Sequence, residues 1–174
     1  MSKPNPNEYP AYYSRYIDLV QEENVLKLLE ANRMDMLNLL NMAGDKNASF
    51  RYAEEKWSVK EVLGHIVDAE RVFSYRALCI ARGEKQSLPS FDENEYVQQA
   101  NFDKRTLRNL LDEYDSVSLA TVALFKSFSE EILMRKGIAN GESITVQALL
   151  YIIAGHEIHH RRILDEKYLS KTMM

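Results

Sequence analysis

Cysteine, glycine and proline are scarce in this chain of 174 residues, and each scarcity excludes a class of protein. The single cysteine, Cys79, cannot form an internal disulfide, which argues against a disulfide-built scaffold. Six glycines and four prolines are too few for the turns of an all-β fold. The sequence also has no apolar run long enough to cross a membrane and no N-terminal signal peptide, so we expect a cytoplasmic protein with no membrane partner.

Basic charge is not in excess either, because 26 acidic residues outnumber 22 basic ones and the net charge is -4. A nucleic-acid-binding domain usually has clustered lysine and arginine and a basic pI, so we expect no nucleic-acid partner. Hydrophobic residues make up 45% of the chain and charged residues 28%, which is typical of a globular protein. The length fits one domain.

Apolar residues recur at three-to-four spacing in four long segments, which predicts four amphipathic helices. Ser58 followed by Glu61 has the spacing of a capping box, in which each side chain bonds the other residue's backbone. The predicted helices run from Asn24 to near Gly44, from Ser58 to about Arg82, from Asp103 to about Phe128, and from Thr145 to about Tyr168. The predicted fold class is therefore all-α, a four-helix bundle over residues 24–170.

Two segments lie outside these helices. An N-terminal arm, residues 1–23, contains three prolines and four tyrosines, and we expect it to pack on the bundle. Its tyrosines, Tyr9, Tyr12, Tyr13 and Tyr16, could instead line the mouth of a site. The connection between helices 2 and 3, residues 83–102, is long and contains a possible short helix at residues 92–99, so it could cover a site.

Three of the four histidines lie close together on the last helix, in the stretch A-G-H-E-I-H-H-R-R-I-L at residues 154–164. His156 and His160 are four residues apart and therefore lie on the same face, within the apolar stripe. His159 is displaced by about 100° and is expected to be exposed or at an interface. Buried imidazoles need partners for their ring nitrogens, and either a shared metal ion or hydrogen bonds in the core can supply them.

The fourth histidine, His65, lies on the second helix between Val62 and Ala69, on its apolar side. If the second and fourth helices are neighbours, His65, His156 and His160 can converge on one ion. Three protein ligands leave a coordination position open for water or substrate, as in reactive rather than structural metal sites. An all-nitrogen set suits zinc, nickel, copper or cobalt better than calcium or magnesium.

Residues 156–160 also match the H-E-x-x-H motif of zinc peptidases, with Glu157 as the general base. The peptidase reading is disfavoured because the helix continues through Ile163, where metzincins have a glycine, and because the chain lacks a sheet.

Three acidic residues could orient a metal-bound imidazole through a hydrogen bond. Glu61 and Asp68 flank His65, and Glu157 follows His156. Helix capping is sufficient to explain Glu61, and a solvated surface position is sufficient for Asp68 and Glu157. No residue is identified as the general base.

Taken together, these motifs resemble the DinB/YfiT superfamily of metal-binding four-helix bundles. The resemblance depends on W-S-V-K-E-V-L-G-H-I-V-D-A-E-R-V-F at residues 57–73 and on the stretch at residues 154–164, with P-N-E-Y at 6–9 and F-D-E-N-E-Y-V at 91–97. It implies that His65, His156 and His160 bind a divalent cation, zinc or nickel, and that the protein is a homodimer.

Characterised relatives include transferases and isomerases that use a low-molecular-weight thiol, and hydrolases. The resemblance therefore implies a metal-dependent S-transferase or hydrolase that acts on a small-molecule substrate. The alternative is a non-catalytic binding module that the metal stabilises.

Overall fold

The structure is a computed structural model that describes residues 2–170. It contains four long helices and a small antiparallel sheet. The elements are α1 (Ser14–Ile17), α2 (Val25–Asn47), α3 (Val59–Ala81), α4 (Glu93–Ala100), α5 (Leu107–Lys126), α6 (Glu130–Leu133), β1 (Lys136–Ala139), β2 (Glu142–Thr145) and α7 (Val146–Ile163). Single turns of 3-10 helix at Pro6–Glu8, Ala11–Tyr13 and Phe102–Lys104 and a π-helical turn at Leu164–Leu169 complete the chain.

The four long helices form the bundle that the sequence predicts, so the all-α fold class is confirmed. Helix α3 packs against both α5 and α7, and α2 packs against the same two helices. The helices that contain the histidine motifs, α3 and α7, are therefore direct neighbours. This adjacency allows His65 to meet the histidines of α7.

The predicted N-terminal caps agree with the structure in three helices and differ in one. Asn24 and Thr145 accept backbone hydrogen bonds at the starts of α2 and α7, and Ser58 forms the predicted capping box with Glu61. The prediction that Asp103 caps α5 is wrong, because the cap is Thr106, three residues later.

Asp103 lies instead in a 3-10 turn that precedes α5, where it bonds two other segments. Its carboxylate accepts a hydrogen bond from Ser58 Oγ at 2.6 Å and pairs with Arg51 at 2.7 Å. These contacts join the turn to the start of α3, so a tertiary interaction takes the place of the local cap.

A hairpin of β1 and β2 lies where the sequence predicts only a break in the chain, at residues 137–141. Asn140 and Gly141 form its turn with positive φ angles of 54° and 76°. Adjacent residues with positive φ favour Asn-Gly and match the twist of a tight hairpin. Ala139 also bridges Leu88, so the hairpin holds the long connection against the bundle immediately before α7 begins.

The N-terminal arm packs on α7 through α1, where Tyr16 and Ile17 are buried. Gly155 allows this close approach, because a Cβ at position 155 would overlap the carbonyl oxygen of Tyr16. The obstacle is backbone rather than a flexible side chain, so an alanine could be accommodated only if the arm moved away from α7. The arm therefore lies directly over the histidine-containing part of α7.

Gly155→Ala is expected to lower the free energy of unfolding by about 1–3 kcal/mol, because overpacking displaces α1. Gly155 lies in regular helix, where alanine alone would add roughly 1 kcal/mol of helix propensity. Urea unfolding measures the change in the free energy of unfolding, and its sign tests the close approach of Gly155 to Tyr16. An unchanged or increased stability would contradict that contact. Gly83→Ala is the control, because position 83 has no neighbouring atom within 4 Å and tests only the cost of a positive φ.

Candidate metal centre

Three imidazoles from two helices meet at one point in the bundle. His65 Nε2 of α3 lies 3.1 Å from His156 Nε2 of α7, and His160 Nε2 lies 3.1 Å from the same atom. The ligand nitrogens of all three residues lie within 4.8 Å of one another. The helical spacing of His156 and His160 provides two of these nitrogens on one face, and the packing of α3 on α7 adds the third.

The two separations of 3.1 Å fit the shell of one divalent ion. Nitrogens bound about 2.0–2.1 Å from zinc lie about 3.3 Å apart in tetrahedral geometry and about 3.0 Å apart at right angles. A ring nitrogen of His156 cannot satisfy both neighbours with one proton, whereas an ion accepts a lone pair from each ring. Three such nitrogens form a donor set that suits a divalent transition metal.

Burial keeps these imidazoles neutral, which is the form that binds metal. It lowers the pKa of His65 to about 4, and the nearby His159, in its protonated form, lowers this pKa further. Burial lowers the pKa values of His156 and His160 well below the usual histidine value, and the adjacent histidines lower them further. All three nitrogens therefore offer lone pairs at neutral pH.

Aromatic rings enclose the three histidines. The indole of Trp57 lies 4.8 Å from the His65 ring, and Tyr16 of the arm lies edge-on to His156 at 5.2 Å. The Phe73 ring is 6.2 Å from His156. These contacts fix the ring orientations and limit the access of water to the nitrogens.

His159 lies outside the convergent set, at the wall of the adjacent cavity. Its ring packs edge-on to Tyr16 at 5.5 Å and is half-buried, where its helical angle predicts an exposed or interface position. Burial lowers the pKa of His159, and the nearby arginines Arg15 and Arg162 lower it further. The arm causes the difference, because it covers a helix face that the bundle alone would leave exposed.

A cavity of about 870 Å³ opens onto the three histidines. The arm provides part of its wall through Tyr12, Tyr13 and Tyr16. Tyr13 and Tyr16 also pack on the bundle, whereas Tyr12 is exposed. Residues of α3, of the long connection and of the β-hairpin complete the wall, including Phe73, Arg76, Phe91 and Glu142. The cavity is large enough for a small-molecule ligand beside the metal position.

Two of the acidic candidates beside His65 have partners other than the imidazoles. Glu61 accepts a hydrogen bond from the Ser58 backbone and pairs with Arg51. Asp68 lies 3.9 Å from Arg71, and burial raises its pKa. Among residues 2–170, no hydrogen bond joins either carboxylate to His65.

Glu157 is directed into the bundle, where it belongs to a second buried group. The Tyr114 hydroxyl of α5 donates to Glu157 Oε1. The amide of Asn32 of α2, which donates to the Ala154 carbonyl, acts to lower the pKa of this carboxylate. Burial, followed by the nearby charge of Glu70, raises the pKa of Glu157 to about 8. This carboxylate is thus not at the metal position, where the peptidase motif would require its general base.

Several residues around the site were not identified from the sequence. Arg76 and Phe73 lie eleven and eight residues after His65, so the helical period places all three on one face of α3. That spacing was the available signal for both. The roles of Arg15 and of the buried acid Glu70 depend on tertiary packing, which the local sequence does not indicate.

The helices of residues 2–170 include none with the length and apolarity needed to cross a membrane.

Comparisons with known proteins agree with this architecture. A protein of Oceanobacillus iheyensis that is named as a proposed metal-dependent hydrolase is 26% identical over 139 residues, which cover 78% of each chain. YfiT from Bacillus subtilis, described as a proposed metal-dependent hydrolase with an unusual four-helix bundle topology, superimposes with a TM-score of 0.77 at 18% identity, over 99% of this chain and 93% of YfiT. The mycothiol-dependent maleylpyruvate isomerase has a TM-score of 0.68 at 14% identity, over 84% of this chain and 61% of the isomerase.

The two structural similarities concern the fold. The family follows from a separate match, in which the model of the DinB superfamily covers residues 28–164 and therefore both histidine motifs. On this evidence, the chain belongs to the DinB superfamily.

Proposed function

We propose that this protein is a metal-dependent enzyme that acts on a small molecule, as a hydrolase or as a thiol-dependent S-transferase. The observation that carries the proposal is the convergence of three neutral imidazoles, His65, His156 and His160, at the base of a cavity of about 870 Å³. Zinc and nickel are the proposed ions: the all-nitrogen donor set suits several transition metals, and the resemblance to the DinB/YfiT superfamily favours these two. An ion held by these three residues would keep a coordination position available to a water, a thiol or a substrate in the cavity.

A divalent ion at this position would act as a Lewis acid and would lower the pKa of a bound water or thiol. The protein's own residues hold and shield that position. His156 and His160 are fixed one turn apart on α7, and Trp57 and Tyr16 fix the imidazole planes by ring contacts. The aromatic wall restricts the approach of bulk water, so a ligand in the cavity competes well for the open position.

The two reaction classes are supported by different observations. The name of the Oceanobacillus relative supports hydrolysis. The shared fold with the mycothiol-dependent isomerase supports a low-molecular-weight thiol as the second ligand. The cavity can hold either a substrate with a metal-bound water or a substrate together with a thiol.

The test compares zinc-loaded and nickel-loaded protein with a His65→Ala variant. Hydrolysis is followed with 4-nitrophenyl esters, and S-transfer is followed with cysteine, bacillithiol or mycothiol and an electrophilic arene. We expect metal-dependent turnover by the parent and a loss of at least about 100-fold in the variant, since a ligand contributes more than an outer-shell partner. Circular dichroism should show a folded variant.

His159→Ala is the control, because it removes an imidazole of the same helix from outside the convergent set. We expect it to retain the metal and measurable turnover. If His65→Ala lowers the melting temperature and leaves turnover unchanged, the ion has a structural role. The protein is then a metal-stabilised binding module, because the same three residues join α3 to α7.

A further inference from the structure

A buried arginine with no acidic partner lies in the wall of the cavity. The Arg76 side chain is 3% exposed, and its Nη2 donates to the backbone carbonyl of Pro89 at 2.6 Å. No carboxylate of residues 2–170 lies within ion-pair distance of its guanidinium. One carbonyl contact leaves most of its five donor positions free to bond a ligand.

An unpaired buried cation is costly, and the contacts around Arg76 offset that cost only in part. The Phe73 and Phe91 rings each lie 5.8 Å from the guanidinium carbon, at the outer limit of a cation–π contact. These rings attract the cation weakly and do not neutralise it. A ligand with a negative charge would do so by forming charge-assisted hydrogen bonds to the planar fork.

The position of Arg76 relative to the histidines indicates how such a ligand would lie in the cavity, with one end at Arg76 and the other toward the histidines. Arg76 follows His65 by eleven residues on α3, a rise of about 16 Å, and Ala69 and Phe73 lie between them on the same face. The long arginine side chain leans toward the N-terminus of α3 and hence toward the histidines. Ala69 adds little bulk, so the wall between the two ends of the cavity is apolar and open.

Acidic side chains lie at the rim of the cavity, and a basic side chain lies in its interior. Glu93 and Glu142 are exposed at its rim, where solvent screens them, whereas Arg76 is buried. Arg15, the other cation in the wall, lies over the Tyr12 ring at 3.7 Å. The buried end of the cavity beside Phe73 is therefore cationic and aromatic.

We propose that the cavity takes a small molecule with an anionic oxygen group, a carboxylate or a phosphate, bound by Arg76. Its apolar or aromatic body lies along Phe73 and Phe91, and its opposite end reaches the three histidines. This inference rests on the proposed function for the reaction at that opposite end. The anion site itself depends on Arg76 and not on the metal.

The probes are 5-phenylpentanoate, 5-phenylpentyl phosphate and the uncharged amide 5-phenylpentanamide. Their binding to the full chain is measured by isothermal titration calorimetry, with zinc bound and after removal of the metal. We expect at least one anionic probe to bind about tenfold or more tightly than the amide, as expected for charge-assisted hydrogen bonds. Arg76→Gln should reduce that preference to within about twofold, and Arg76→Lys should retain part of it.

Arg108→Gln is the matched control, because Arg108 is exposed on α5, far along the chain from the cavity residues, and pairs with Asp112 at 2.9 Å. It should retain the full preference of the parent for the anion. Equal affinities of the parent for the amide and both anions would overturn the proposal without the use of any variant. A preference that persists in Arg76→Gln would also overturn it, by assigning the anion to the metal or to Arg15.

The two proposals fail separately in these experiments. If the anion preference depends on Arg76 but turnover does not depend on the metal, the anion site stands and the proposed reaction falls. If turnover depends on the metal and the anion preference is absent, only the substrate class is wrong.

Discussion

His156→Ala is expected to abolish stoichiometric metal binding, with a loss of affinity of more than about 100-fold. His156 Nε2 is the central atom of the site, because the Nε2 atoms of His65 and His160 each lie 3.1 Å from it. Removal of this ring leaves two donors, His65 and His160, in place of the three ligands of a reactive metal site. Elemental analysis of protein purified without a histidine tag, followed by zinc titration against a chelator, measures the effect.

The same measurement on His65→Ala and His160→Ala should give similar losses, whereas His159→Ala should retain about one ion per chain. His159 is a sharp control because it lies on the same helix and contacts the same Tyr16 ring as His156. An ion retained by His156→Ala, or a parent that takes up neither zinc nor nickel, would contradict the assignment. The three histidines would then be hydrogen-bonded core residues.

The part of the site that could be predicted from the sequence is the part set by residue spacing within a single helix. The four-residue spacing of His156 and His160 places both on one face of any helix, and Val62 and Ala69 indicate the apolar side for His65. The neighbourhood of α3 and α7 is a tertiary property that the helical period does not contain. Only the resemblance to the DinB/YfiT superfamily implied that these two helices are neighbours.

The features that could not be predicted are those in which tertiary contacts outweigh local preferences. Asp103 has a good capping side chain, but Ser58 and Arg51 bond it, and Thr106 becomes the cap. The β-hairpin has strands of only four residues, too short for a clear alternation. His159 is half-buried only because the arm packs over it.

A second buried polar group, distinct from the metal position, lies in the centre of the bundle. Each long helix contributes one member: Asn32 from α2, Glu70 from α3, Tyr114 from α5 and Glu157 from α7. Glu70 is 5% exposed, and its Oε1 atom has no hydrogen-bond partner among the described residues. Two buried carboxyls so near each other cannot both ionise without cost, and this cost makes stability depend on pH.

Glu70→Gln is expected to make the protein more stable at pH 8, by up to about 3 kcal/mol. Burial raises the pKa of Glu70 to about 7, against a hydrogen bond from Thr121 and the charge of Arg71, which lower it. Between about pH 4.5 and 7 the folded state retains a proton that the unfolded state releases, so stability falls as the pH rises through this window. A glutamine cannot ionise, and its amide can still bond Thr121.

Urea unfolding from pH 5 to pH 8.5, in buffer free of divalent metal, measures the difference between parent and variant. The histidines and Glu157 also titrate, but both proteins contain them, so the difference reflects chiefly Glu70 and its coupling to Glu157. Glu54→Gln, at an exposed loop position, should give a flat difference across the range. A Glu70→Gln difference that is equally flat would mean that Glu70 ionises normally in the folded protein, because water or a cation reaches its carboxylate.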